Sequence, residues 1–412
     1  MEQSKKNFPK YLLQSLSHSV AFMFFNGAIV QTFLLLIGFS ESEVYLYSTL
    51  VQLAQVVMMF VMIFVTDRIE KKRLVCAIAN FLIIIPVAIF ILGAANPMIV
   101  SKWYIILLFV TSIATHGGIG MYMVMTYCLP YKLIDIADYG KFTGLAGALG
   151  GCITFGLSSL HTVMVSNFDY LAATLWFFVL ALISAILSGV LLLWMKDIPS
   201  DKNGIQPKAS GFIEAFKNKD TYSLIIPNFT RGLATGIFNV MAVIAISSGI
   251  ATPATATYLT IVTYLASFLS SVAFTYLYNK MPIERLLMIS TLAISAVLPF
   301  AISGELILFL VLMFVALFFR IMVDNAIPTA LVRIIPEAQI GAYNSVRMLI
   351  FTAAQAVATA IMMPMVSIVG YKGALVFAAI MQLFCGIGHY AVIRSHSAPL
   401  IRGGARRKRR PY

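Results

Sequence analysis

The chain has 412 residues, 60% of them hydrophobic and only 11% charged, with a formal net charge of +13. Apolar stretches of membrane-crossing length recur from end to end, which excludes a water-soluble globular protein. They are continuous rather than alternating, which excludes a β-barrel and predicts an all-α, polytopic membrane protein whose helices satisfy their own backbone in lipid.

Twelve spans are predicted, over residues 10–37, 44–66, 73–93, 101–128, 142–165, 170–195, 221–248, 255–278, 284–303, 305–330, 340–368 and 371–393. The first follows Lys5, Lys6 and Lys10 with no small-residue cleavage site behind it, so it reads as a retained span rather than a signal peptide. Its residues Ser15, His18, Phe22 and Asn26 are spaced 3, 4 and 4 and share one helix face. The loop after the second span, "TDRIEKKRL" at 66–74, is strongly charged. Span four carries His116, Gly120 and Tyr127, with Tyr122 nearby. Span five carries Gly140, Gly144, Gly147 and Gly151, a smooth stripe that reads as a packing or sliding surface for another helix.

The one long polar interruption, "KDIPSDKNGIQPKASGFIEAFKNKD" at 196–220, splits the spans six and six. It reads as a linker between a bundle at 1–195 and a bundle at 221–395, with a basic tail at 396–412. Span seven holds Arg231 in a run otherwise apolar from Tyr222 to Ile250. Counting helical rise from Asp220 places it about 15 Å deep, near the middle of a bilayer core of about 30 Å. Asn228, Arg231, Thr235 and Asn239 repeat the 3, 4, 4 spacing of span one. Span ten adds Arg320, Asp324 and Asn325, and an Arg320–Asp324 pair four residues apart is one reading of those charges. Arg347 lies near the start of span eleven, shallow enough to reach the interface.

Of the 29 Lys and Arg, only Lys102 and Lys372 fall on one side of the predicted topology, and Arg231, Arg320 and Arg347 fall within spans. The rest gather with both termini, which predicts cytoplasmic termini in a multi-pass protein of the cell (plasma or inner) membrane. The tail "ARRKRRPY" suits anionic membrane lipid, and no nucleic acid partner is expected. Cys76, Cys128, Cys152 and Cys385 lack metal-ligand spacing, and the five histidines, at 18, 116, 161, 389 and 396, are scattered. No metal, no cofactor and no enzymatic centre are expected.

Internal similarity links the halves. "TDRIEKKRL" lies over "YNKMPIERL" at an offset of 212, and "SLSHSVAFMFFN" over "NFTRGLATGIFN" at 213, so that His18 meets Arg231 and Asn26 meets Asn239. A twelve-span chain of two such halves with this loop resembles the major facilitator superfamily. "VTDRIEKKRL" is similar to that family's loop motif through Asp67, Arg68, Lys72 and Arg73; Met62 or Ile63 and Glu70 stand where its glycines do. "LPYKLIDIADYGKFTG" at 129–144 and "GAYNSVRMLIF" at 341–351 resemble segments of the glycoside–pentoside–hexuronide cation symporters. That group's paired aspartates of span two are replaced here by Gln52 and Gln55.

The resemblance implies alternating access by a secondary or facilitative transporter, with spans one, four, seven and ten around a central cavity. Its implied solute-binding residues are His18, Asn26, His116, Tyr122, Tyr127, Arg231, Asn239, Arg320, Asp324 and Asn325. Asp67, Arg68, Lys72 and Arg73 inherit the gating role of the loop. Arg231 is expected to face the cavity and bind a small polar solute, anionic or sugar-like, with a proton or sodium ion as the expected co-transported partner. A multidrug or lipid exporter of the same fold is the alternative, and would be expected to have a chiefly apolar cavity.

Overall fold

The computed structural model describes residues 2–25, 27–65, 69–126, 129, 133–134, 136–197, 224–277, 280–334 and 337–402. Asn26, Asp67, Arg68, Tyr127, most of the linker and the basic end of the tail lie outside the described residues. Among those described, the chain is helical without strands. The helices of the first half are α1 (Glu2–Phe25), α2 (Ala28–Leu36), α3 (Glu41–Val65), α4 (Lys72–Leu82), α5 (Ile84–Ala95), α6 (Lys102–Met125), α7 (Ile136–Asn167) and α8 (Tyr170–Trp194). Those of the second half are α9 (Ile225–Asn239), α10 (Met241–Ser247), α11 (Pro253–Leu277), α12 (Ile283–Val297), α13 (Leu306–Ile334), α14 (Glu337–Ala360) and α15 (Met362–Arg402).

Ten helical stretches among the described residues are long and apolar enough to cross a membrane, or eleven with the bent pair α9–α10 counted as one span. The difference from twelve lies in predicted span eleven, which is a shorter apolar helix over Ser345–Ala360 in α14 and then runs on into α15, which contains Gly370 at φ 72° and ψ 176°. That is backbone a side chain resists and glycine accepts, and it breaks the helix at the predicted boundary between spans eleven and twelve. Span three is interrupted for a different reason. Pro86 has no N–H to give to the Leu82 carbonyl, and the Thr115 hydroxyl of α6 donates to that carbonyl instead, at 2.7 Å.

In the first half α1 packs on α7 and α8, α3 on α6, and α4 and α5 on α8; in the second, α9 packs on α14 and α15, α13 on α11 and α12, and α12 on α15. The halves meet where α3 lies on α14 and α11 lies on α7 and α2. Outer faces are apolar, with Leu53, Val57, Val110, Val163, Ile183, Val272 and Val311 exposed, while Gln14, Asn80, His116, Asn228, Arg231 and His389 are buried. This inverts the soluble pattern, as a helix bundle solvated by lipid tails requires.

Close approach in the second half has a local cause. A methyl group on Gly232 would strike the Phe351 carbonyl, and one on Gly236 would strike Ala358 and the Gln355 carbonyl. The two glycines four apart on α9 therefore let α14 come against its backbone. That contact brings Phe351 over Arg231 and sets Gln355 at the wall of a central chamber.

Candidate functional site

Two helix breaks frame this chamber. Span one parts between α1 and α2, where Gly27 has φ 75°, and span seven bends by 47° between α9 and α10 at Val240. Gly27 and Val240 are separated by the same 213 residues that relate the two sequence segments. Matched interruptions in corresponding spans are where carrier-type folds place their binding sites.

The chamber has two lobes. One, of about 340 Å³, is walled by the amides Gln31, Gln52, Gln55, Asn239 and Gln355 together with His116. The other, of about 190 Å³, is walled by Phe238, Leu259, Thr260, Leu317 and Arg320. Met23, Gly27, Asn239, Thr263 and Tyr264 border both, so the lobes adjoin. Gln31 Oε1 and His116 Nε2 in the first lobe, and Thr260 Oγ1 and Arg320 Nε in the second, are shielded from solvent with no hydrogen-bond partner among the described residues. His116 Nδ1 lies 2.9 Å from the Ser112 carbonyl, a contact that needs an N–H there and leaves Nε2 of the neutral ring as an acceptor. Buried polar atoms are normally paired; these four belong to residues that border the hollow, and others like them occur elsewhere among the described residues.

Arg231 is held elsewhere. Its Nε donates to Asp324 Oδ1 at 3.1 Å, and Nη2 donates to the same oxygen, across from α9 to α13. The guanidinium stacks on Phe351, 4.6 Å from the ring centroid. The Arg231 side chain is 7% exposed, but that of Asp324 is 32% exposed.

The equivalent position in the first half carries an uncharged network. His18 Nδ1 lies 2.8 Å from Asn80 Oδ1, which also accepts from Ser188 at 2.9 Å. Gln14 donates to Ser188 at 3.0 Å, and His18 stacks on Tyr122 with centroids 4.3 Å apart.

On the side away from the chain termini, hydrogen bonds among the described residues join the halves. Gln31 donates to the Asn239 carbonyl at 2.7 Å, Thr49 to Thr359 at 3.1 Å, and Tyr371 to Glu41 at 2.5 Å. Toward the termini, a crevice of about 510 Å³ opens between Gly147 and Gly151 of α7, Ser267 and Ser271 of α11, and Asn325 and Thr329 of α13.

No family model matches the chain, and no curated protein matches it. Solved structures do. The outward-facing bacterial homologue of the iron transporter ferroportin aligns at TM-score 0.69 and 15% identity, covering 95% of this chain and 99% of that one. The D-xylose-proton symporter aligns at TM-score 0.69 and 14% identity, covering 93% and 96%. The fucose:proton symporter of E. coli, described in a second structure as a major facilitator superfamily transporter, aligns at TM-score 0.62 and 14% identity, covering 94% and 98%. This chain has the major facilitator fold. These structures support the fold without singling out the glycoside–pentoside–hexuronide group.

Within the facilitator fold, the predicted residues separate into three sets. His116, Asn239 and Arg320 border the chamber. His18 and Tyr122 are engaged inside the first half, and Asn325 faces the crevice, with its amide 3.5 Å from Ser271. Arg231 does not line either lobe, contrary to expectation, because Asp324 and Phe351 hold it between helices. An Arg320–Asp324 salt bridge, one of two readings of those charges, is not found among the described residues, although Arg320 stays within electrostatic reach of Asp324. The Asp324 carboxylate turns across the interface to α9 and leaves Arg320 over Phe238, 5.1 Å from its centroid.

Loop residues Lys72 and Arg73 have local partners. Lys72 donates to the Ile69 carbonyl at 2.9 Å; Arg73 donates to the Leu193 carbonyl at 2.8 Å and pairs with Asp197 at 3.2 Å, fastening the loop to the end of α8. Of the glycine stripe of α7, Gly147 and Gly151 face the open crevice, with no helix packed against them. Sequence reasoning passed over Gln31, Thr263, Tyr264 and Gln355 and met Gln52 and Gln55 only as replacements. An amide inside a membrane-length run was their signal. Among the described residues, no three His, Cys, Asp or Glu side chains converge as a metal site needs.

Proposed function

We propose that this chain is a secondary transporter that moves a small polar solute by alternating access between bundles at 1–195 and 221–395. The observation that carries the reading is the two-lobed chamber between the halves, with amide walls and unpartnered polar atoms. Neutral amides both donate and accept, which suits a solute rich in hydroxyl, carbonyl or amide groups. A carrier of drugs or lipids would need a largely apolar wall instead. Solved structures of this fold include proton symporters for fucose and D-xylose and a nucleoside transporter, which supports a small solute and proton coupling for this chain as well.

The hydrogen bonds on the side away from the termini fit a closed gate, and the crevice at the terminal side fits the path that opens in its place. With the termini cytoplasmic in the cell membrane, as the basic residues argue, this arrangement is closed to the outside. His116, Asn239 and Arg320 are the binding residues kept from the sequence, joined by Gln52, Gln55 and Gln355.

The test is uptake into proteoliposomes of hexoses, hexuronates, organic acids and nucleosides, with and without imposed pH or sodium gradients. At least one solute should enter faster than into protein-free vesicles. Gln52→Ala and Gln355→Ala should each raise its KM about three- to thirtyfold, as the loss of one or two hydrogen bonds implies. Uptake at the protein-free rate for every solute under every gradient would reject the transporter reading.

A further inference from the structure

The second lobe has a charge imbalance that the first lacks. Arg231 and Arg320 stand with one described carboxylate, Asp324, between them, and its Oδ1 accepts from Arg231. Arg320 precedes Asp324 by one helical turn and lies within electrostatic reach of it and of Arg231. Phe238 offers Arg320 only the face of a ring. A guanidinium among apolar helices is costly without a counter-charge, and here its Nε is shielded and unpartnered at the wall of a hollow. Thr260 Oγ1, at the wall of the same hollow, is unpartnered too. The lobe of about 190 Å³ has room for a small polar headgroup and adjoins the amide-walled lobe at Asn239, Thr263 and Tyr264.

We propose that this lobe is an anion subsite: a carboxylate borne by the solute accepts from Arg320 and Thr260 while the solute's uncharged body bonds the amides of the larger lobe. The inference rests on the transporter reading and narrows its solute to an organic acid with a hydrogen-bonding body. The Arg231–Asp324 pair takes the role of support, since it commits the nearby carboxylate and leaves Arg320 free to receive the solute.

The test measures the melting temperature of the purified full-length protein at constant ionic strength. Acetate, lactate and glucuronate are titrated beside their uncharged counterparts acetamide, lactamide and glucose, with chloride and phosphate as free-ion controls, on wild type, Arg320→Gln, Arg320→Lys and Thr260→Val. At least one carboxylate should stabilise the wild type saturably where its counterpart does not. Arg320→Gln should weaken that binding about tenfold or more, and Arg320→Lys and Thr260→Val by less.

The proposal is overturned if no carboxylate outperforms its counterpart, if Arg320→Gln binds it as wild type does, or if chloride or phosphate alone reproduces the whole effect. Should Arg320→Gln not fold, unchanged carboxylate affinity in Thr260→Val overturns it. Carrier-dependent uptake of glucose without any carboxylate effect would reject the subsite and leave transport standing. Carboxylate stabilisation without uptake of any solute would do the reverse.

Discussion

In the first half, the polar residue at mid-depth of the leading span is His18, held by Asn80 and Tyr122 in a network without formal charge. In the second half, 213 residues on, it is Arg231, held by Asp324 and Phe351. The same place in the repeat thus joins helices by neutral hydrogen bonds on one side and by an ion pair on the other. Neutral interhelical bonds contribute about 0.6 kcal/mol each, up to about 1.7. An ion pair contributes little more as a whole, but stranding one of its partners costs about 3–5 kcal/mol. The first half therefore tolerates loss of a partner, and the second does not.

This asymmetry is most exposed at Asp324. Asp324→Ala should cost about 3–5 kcal/mol or abolish accumulation of folded protein, because Arg231 is left charged and buried. The double variant Arg231→Met/Asp324→Leu should recover most of the loss. Melting temperatures in detergent check both, and a double variant as poor as the single one would mean that the pair is not the unit. Gly236→Leu should cost about 1–3 kcal/mol by forcing α9 off the Gln355 carbonyl and Ala358, read as a lower melting temperature.

His18→Phe keeps a ring against Tyr122 and leaves Asn80 with its bond from Ser188, so about 0.6–1.7 kcal/mol should be lost. A loss as large as that of Asp324→Ala would erase the contrast between the halves. The smallest effect is expected where the halves touch. Tyr371→Phe removes the bond to Glu41, worth about 0.5–1.5 kcal/mol, and should shift the population open on that side about two- to tenfold. Spin-label distances between the halves on that side report the shift.

Much of the fold was legible because lipid imposes a one-dimensional rule: a span must be apolar over a fixed length. The halves' repeat was legible as well, down to the offset that places Gly27 and Val240 at matching breaks. Less of the site could be read. Asp324 stands four residues from Arg320 in the sequence, so local spacing pointed to that partner, whereas its side chain bonds across to α9. The amides of the chamber come from α3 and α14 as well as from spans with obvious polar faces. Nothing in a single helix distinguishes an amide that faces a hollow from one that bonds a neighbouring helix.

Length, hydropathy and the internal repeat were enough to predict a polytopic helical chain in two related halves, because a span is set by one segment meeting the bilayer. Which cation is neutralised and which is left at the chamber wall depended on how α9, α13 and α14 pack. The reason is physical: an ion pair and a cavity both exist between helices, and their geometry is set by side chains hundreds of residues apart in the chain, such as Gln52 and Gln355 or His116 and Asn239.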